Sequence, residues 1–410
     1  MADFHQSGVI TTLHRLGNNG VERLESELLR YSRERPVALV LPCLMSELRG
    51  DGLKGIVDVL RSVHYLRQIV VSLSGTDDRS EYEEMRRFWE GVTTLDGAPP
   101  VLLWNSGPRV QALYQRLRDE GLDPGRSGKG RSTWLAYGYV LATNVSRVIA
   151  VHDCDIRDYH REMLARLCYP TANPNLHYEF AKGYYARVTD RLYGRVTRLF
   201  VTPLLRAMKS VIGSVPLLDF LDSFRYPLAG ECSMTTDQAR MNRIPADWGL
   251  EVGMLAEVFR NCSLKRICQV ELSDNYDHKH QDLSDADASR GLHRMVVDIA
   301  SSLIRNLASY GVEFDAGFLN TLTAAYVRTA QDAIASYNDD ALLNGLQFDR
   351  HEEEVAVETF TRALRAAGLG FVRDPLGVPQ IPNWNRVTSA LPEFLDELRE
   401  SVETDASASL

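Results

Sequence analysis

A chain of 410 residues is long enough to bury a sizeable core and to divide into more than one domain. Its 44% hydrophobic and 25% charged content is that of a globular protein, and 46 basic against 55 acidic residues give a net charge of −9. That balance excludes a general nucleic-acid binder, which needs a basic surface, but leaves room for a small anionic substrate held by a few local cations.

No apolar run approaches the roughly 20 residues of a membrane span, and Met1 to Arg30 carries no apolar signal-peptide centre. The six cysteines are scattered without metal-ligand spacing and read as free thiols of a cytoplasmic protein.

Residues 1–34, rich in Arg and Glu, read as a helical lead-in. Val37–Leu41 is an unalternating apolar run, a buried strand ended by Pro42, and Leu53, Ile56, Val57, Leu60 and Val63 then recur at helical spacing. Strand Ile69–Leu73 leads into Ser74-Gly75-Thr76-Asp77-Asp78; a helix around Tyr82–Trp89, strand Val101–Trp104 and a helix near Val110–Leu117 follow. Beyond a glycine-rich loop, a helix from about Ser132 precedes the strand Val148–Val151. Strands separated by helices imply an α/β fold, a doubly wound and mainly parallel sheet, here spanning 35–285.

Further on, Tyr178–Val188 is compatible with a strand, Val196–Val211 with an amphipathic helix and Ile267–Leu272 with another strand. Residues 286–410 form a C-terminal helical region. Val296, Ile299, Ala300, Leu303, Ile304 and Leu307 make one apolar face there, closed by Gly311. Asp374–Pro382 is an extended proline-rich arm, and the small polar tail Glu403–Leu410 is expected to be disordered.

The strand into His152-Asp153-Cys154-Asp155 ends in two carboxylates two residues apart, which on an extended backbone point the same way. Open α/β sheets bind ligands at that end of a strand, and two like charges side by side call for a cation between them and a diphosphate. Gly125-Arg126-Ser127-Gly128-Lys129-Gly130-Arg131 offers glycines for close backbone approach to an anion and Lys129 as a point charge; it is not a P-loop.

Gly194-Arg195-Val196-Thr197 opens a helix, where backbone donors, Arg195 and the Thr197 hydroxyl suit an anion. Tyr226–Glu231 and Asp247–Gly253 set glycine beside Glu231 and Glu251, suited to sugar hydroxyls. In Asn275–Gln281, His278 and His280 share a face if extended. Each has a structural alternative: a turn cap for the aspartates, a tight helix start for Gly249 and Gly253, a solvated loop for the rest.

Taken in order, these motifs resemble the retaining GT-A glycosyltransferases that make glucosyl-3-phosphoglycerate and their mannosyl-3-phosphoglycerate relatives. The likeness runs from about Pro36 to Leu283. It rests on Val40-Leu41-Pro42, Ser74–Asp78, Gly128-Lys129-Gly130, Asp153-Cys154-Asp155, Lys182-Gly183-Tyr184-Tyr185, Gly194–Thr197, Pro203-Leu204-Leu205, Pro227–Glu231, Gly249–Gly253 and His278.

The resemblance implies that Pro42, Leu44, Glu47 and Ser74 hold the nucleotide, and that Lys129 meets the diphosphate. Asp153 would bind the nucleotide side, and Asp155 with His278 would hold Mg²⁺ or Mn²⁺. Gly194, Arg195, Thr197 and His280 would grip the 3-phosphoglycerate acceptor, and Glu231 and Glu251 would line the donor sugar. It further implies UDP-glucose as donor and a homodimer. The chain departs from the family pattern between Pro42 and Glu47, one residue longer, and at His280, which replaces an asparagine. A GDP-mannose-dependent relative and a catalytically silent nucleotide-sugar-binding module are the rival expectations.

Overall fold

The computed structural model describes residues 6, 8–17, 20–276, 291–377 and 380–407. His278 and His280 therefore lie outside the described residues.

Eight strands build one sheet: β1 Thr11–Leu13, β2 Val37–Leu44, β3 Leu66–Ser74, β4 Val101–Trp104, β5 Val148–Val151, β6 Phe180–Tyr185, β7 Cys232–Thr235 and β8 Ile267–Ser273. Their order is β1-β8-β6-β7-β5-β2-β3-β4. Every neighbouring pair is parallel except the two made by β7, which runs against both β5 and β6. The mainly parallel sheet is as expected; β7 escaped the sequence pattern because Ser233 and Thr235 break the apolar run that marks the equally short β4 and β5.

The lead-in 1–34 contributes a helix, Val21–Tyr31, and also the edge strand β1, paired with β8. Pro42 does not end its strand, which continues to Leu44 with Pro42 opposite Ser72. The reason is local. The carbonyl of Val40 accepts from the His152 N–H, so this side of β2 faces β5, and the ladder to β5 ends at Val40–Val151. The N–H that Pro42 lacks falls beyond that ladder, where it has no strand to pair with.

Side chains alternate across the sheet into two cores. Val37, Leu39 and Leu41 face the helices Val21–Tyr31, Asp51–Leu60, Arg79–Phe88 and Arg161–Ala172. Ala38 and Val40 face the opposite core, built by helices Lys129–Thr143 and Leu250–Asn261 together with the C-terminal helices. In helix Gly291–Ala308 the six expected face residues, Val296 to Leu307, are all buried, and Gly311 follows at φ +86°. Val196–Val211 splits: a π-helical turn, Val196–Val201, runs into helix Thr202–Ile212.

The C-terminal region shares this core rather than forming one of its own. Its arm returns to the sheet side, where the Ile381 N–H donates to the Ile244 carbonyl at 3.0 Å. Trp384 stacks on Trp134 with ring centroids 4.2 Å apart, and Trp134 Nε1 donates to the Pro382 carbonyl. Such a stack contributes about 1 kcal/mol beyond the area it buries. The final helix, Phe394–Ser407, covers most of the segment expected to be disordered, because Phe394, Leu398 and Val402 bury one face of it; 408–410 lie outside the described residues.

Candidate active site

The carboxyl ends of β2, β3 and β5 open into a cleft of about 1400 Å³. Pro42, Leu44, Glu47 and Ser74 line one part of it, and Lys129, Asp153, Asp155 and Glu251 another. Gly194, Arg195 and Thr197 line the far wall. Of the described candidates, Glu231 is the one that does not reach the cleft.

Lys129 is the first residue of helix Lys129–Thr143, which starts earlier than its apolar pattern suggested. Its Nζ lies 2.6 Å from Asp153 Oδ1 and 3.2 Å from Glu251 Oε1, a carboxylate in the first turn of helix Leu250–Asn261. Burial works against this ammonium, but the charges of Asp153 and Glu251 outweigh it and hold Lys129 well above the usual lysine range. Asp155 is in the opposite position: burial, then the neighbouring Asp153 charge, push its carboxyl up to about 7.

The glycines serve the geometry in a way the sequence did not reveal. A Cβ on Gly130 would stand 2.1 Å from the Pro245 carbonyl oxygen, so glycine there lets two backbones touch. A Cβ on Gly230 would stand 2.5 Å from Asp153 Oδ2, so glycine there makes room for that carboxylate. Gly253, in the first turn of helix Leu250–Asn261, makes room for the Pro245 ring, whose Cγ would stand 2.4 Å from a Cβ there.

Glu231, expected to line the donor sugar, stands behind the cleft surface next to Gly230, which does line it. It is fully buried just before β7, where Tyr185 Oη donates to Oε2 at 2.7 Å and Tyr276 Oη to Oε1 at 2.5 Å. The two tyrosine rings stack face to face, centroids 3.6 Å apart, and cover it. Burial and the Asp153 charge raise its carboxyl above the ordinary range, against the two hydroxyl donors. His152 is likewise turned into the core: it is fully buried, edge-on to Tyr159, and burial lowers it to about 3.

On the far wall, Gly194 at φ +74° opens the π-helical turn, and the Arg198 N–H closes on its carbonyl at 2.9 Å. Thr197 Oγ1 is buried without a hydrogen-bond partner among the described residues. Arg195 Nε donates to Glu353 Oε1 at 2.8 Å and an Nη to Glu352 Oε2 at 2.5 Å. Both glutamates belong to helix Arg350–Arg373, which also sends His351 to the cleft. No sequence signal pointed to these residues, since an acidic first turn reads as a solvated helix start.

No family model matches the chain. The glucosyl-3-phosphoglycerate synthase of Persephonella marina is 47% identical over 407 residues, spanning 99% of this chain and 100% of that one. This chain belongs to the glucosyl-3-phosphoglycerate synthase family. It is thus a glycosyltransferase. The enzyme of that name from Methanococcoides burtonii is 38% identical over 408 residues, 98% of either chain.

Among solved structures, the Mycobacterium tuberculosis glucosyl-3-phosphoglycerate synthase with Mn²⁺, UDP and glucosyl-3-phosphoglycerate superposes with TM-score 0.50 at 22% identity. It covers 75% of this chain and 90% of that one. Mannosyl-3-phosphoglycerate synthase of Rubrobacter xylanophilus gives TM-score 0.52 at 22% identity, covering 71% and 80%. These likenesses establish a GT-A-like α/β fold for this family member.

Proposed function

We propose that the chain transfers glucose from UDP-glucose to the 2-hydroxyl of D-3-phosphoglycerate with retention of the α configuration. The observation that carries this reading is the Lys129–Asp153 pair, 2.6 Å apart beside Asp155, on the floor of a cleft whose far wall holds Arg195 and Thr197. The choice of glucose and 3-phosphoglycerate follows the activity of the two full-length relatives.

The donor set fits a divalent cation. Asp155 lines the cleft beside Asp153, and burial first and then the Asp153 charge push its carboxyl up to about 7, so a bound cation would favour its charged form. Asp155 would hold Mg²⁺ or Mn²⁺, with His278 as the second protein ligand. When bound, the metal supplies Lewis-acid neutralisation of the departing diphosphate.

The chain's own residues account for the rest. Lys129, fixed by Asp153 and Glu251, meets the diphosphate as a preorganised cation. Pro42, Leu44, Glu47 and Ser74 hold the base and ribose. Gly194, Arg195, Thr197 and His280 bind the acceptor's anionic groups. The Thr197 hydroxyl, buried without a partner among the described residues, supports a ligand at that wall.

Retention by front-face attack, the leaving phosphate taking the acceptor proton, follows the resemblance to the retaining GT-A enzymes. Lys129 meets one oxygen each of Asp153 and Glu251, and Glu231 accepts from two tyrosine hydroxyls.

The test is a panel of UDP-glucose, GDP-glucose and GDP-mannose against 3-phosphoglycerate and glycerate, with and without Mg²⁺ or Mn²⁺, the product anomer read by NMR. α-Glucosyl-3-phosphoglycerate from UDP-glucose is the expected product; a mannosyl product or an inverted anomer overturns the assignment.

A further inference from the structure

The far wall contains a contradiction that charge alone exposes. An acceptor bearing phosphate and carboxylate needs uncompensated cations, yet Arg195 and Arg198 stand against Glu352 and Glu353, two positive charges against two negative. The two glutamates are not alike. Glu353 is 5% exposed in its side chain and lies between both arginines, 2.8 Å from Arg195 Nε and 3.0 Å from an Arg198 Nη. It is a fixed bracket, because pulling it away would strand buried charges.

Glu352 is 51% exposed and meets Arg195 through one Nη at 2.5 Å. Its carboxylate has no second partner among the described residues. It sits in the first turn of helix Arg350–Arg373, whose N-cap Asp349 accepts from the Glu352 N–H at 3.1 Å. An acidic residue is favoured in that first turn whether or not it touches Arg195, so releasing the arginine costs it little. Both Glu352 and Arg195 line the cleft, as does Thr197, whose hydroxyl has no partner among the described residues.

We infer that Glu352 is an intrachain placeholder anion: it occupies the Arg195 guanidinium until the anionic group of the incoming acceptor displaces it. This rests on the reading of the far wall as the acceptor site, and it adds a residue that sets acceptor affinity from the C-terminal region. Glu353 stays in place and keeps Arg195 aimed while the exchange occurs. A carboxylate competing for one guanidinium raises the apparent KM of every ligand that must replace it by the same factor.

The experiment compares the full chain with Glu352→Gln and Glu352→Asp. In steady state, Glu352→Gln is expected to lower KM for 3-phosphoglycerate by roughly two- to fivefold, the scale of a half-exposed ion pair. KM for UDP-glucose should not move, and the effect should fall on KM, not kcat. Glu352→Asp, which shortens the reach to Arg195, should lie between the two.

Inorganic phosphate is the second probe: its Kd by calorimetry should fall by the same factor, and Arg195→Ala should weaken it. An unchanged or raised Kd and KM in Glu352→Gln overturns the inference. Absence of product from 3-phosphoglycerate with the unaltered protein overturns the assigned reaction instead, while the phosphate titration still decides the role of Glu352.

Discussion

The two walls of the cleft balance their charges by different means. On the donor side, Lys129 is answered by Asp153 and Glu251, all placed by strand ends and helix starts of the sheet module. On the far side, Arg195 and Arg198 are answered by glutamates more than 150 positions downstream, on helix Arg350–Arg373. The C-terminal helices are therefore part of the site's electrostatics and not a cover laid over a finished enzyme. Even the glycine-rich loop is tied to them, through Arg126 and Asp298 at 2.6 Å.

The largest effect should come from the donor side. Asp155→Ala is expected to lower kcat by roughly a thousandfold and to abolish its dependence on Mg²⁺ or Mn²⁺, because the proposed metal ligand is lost. Turnover close to that of the unaltered chain, with metal dependence intact, would remove Asp155 from the metal site and leave the donor wall defined by Lys129 alone.

The far wall should respond first in stability. Glu353→Gln leaves Arg198, 10% exposed in its side chain, without its buried anion, and is expected to cost about 3 kcal/mol. Urea denaturation with the slope held fixed measures it. A loss below about 1 kcal/mol, the scale of an exposed pair, would mean that the C-terminal helix does not brace this wall.

How much of this was legible follows from where each residue sits. Asp153, Asp155 and Lys129 announce themselves because an unbroken apolar strand and a glycine-flanked helix start are local patterns, and topology fixes what their ends do. Pro42 misled because its effect depends on where the neighbouring β5 stops, a fact about another segment. The burial of Glu231 was not legible, because a carboxylate beside glycine suggests exposure and its cover comes from Tyr185 and Tyr276, the latter 45 residues away. Glu352 gave no signal at all. Its meaning lies in an arginine that only the packed helices bring to it.

Lys129→Ala comes next in size. Its removal should lower kcat/KM by roughly a hundredfold, as for loss of one preorganised donor to a developing charge. It also leaves Asp153 and Glu251 facing each other without their shared cation, so part of the loss should appear as weaker UDP-glucose binding. Restoration by Lys129→Arg would be incomplete, since a planar fork does not fit the point-charge geometry set by two carboxylates at 2.6 and 3.2 Å. Full activity in the alanine variant would break the contrast, because the donor wall would then need no cation of its own.

The smallest effect comes from an exposed C-terminal ion pair. Helix Phe394–Ser407 carries two pairs to the sheet module: Arg109 with the buried Asp405, and Arg116 with Glu397, both of whose side chains are about a third exposed. Phe394, Leu398 and Val402, each at most 1% exposed, hold the helix beside the buried pair. Water screens the Arg116–Glu397 pair, and fixing two long side chains costs entropy, so Arg116→Ala should change stability by less than about 0.5 kcal/mol. It should leave every KM where it was. Thermal denaturation of this variant beside Glu353→Gln separates the two kinds of contact: a drop comparable to that of Glu353→Gln would show that charges tether the C-terminal region generally, and that the far wall is not special in depending on them.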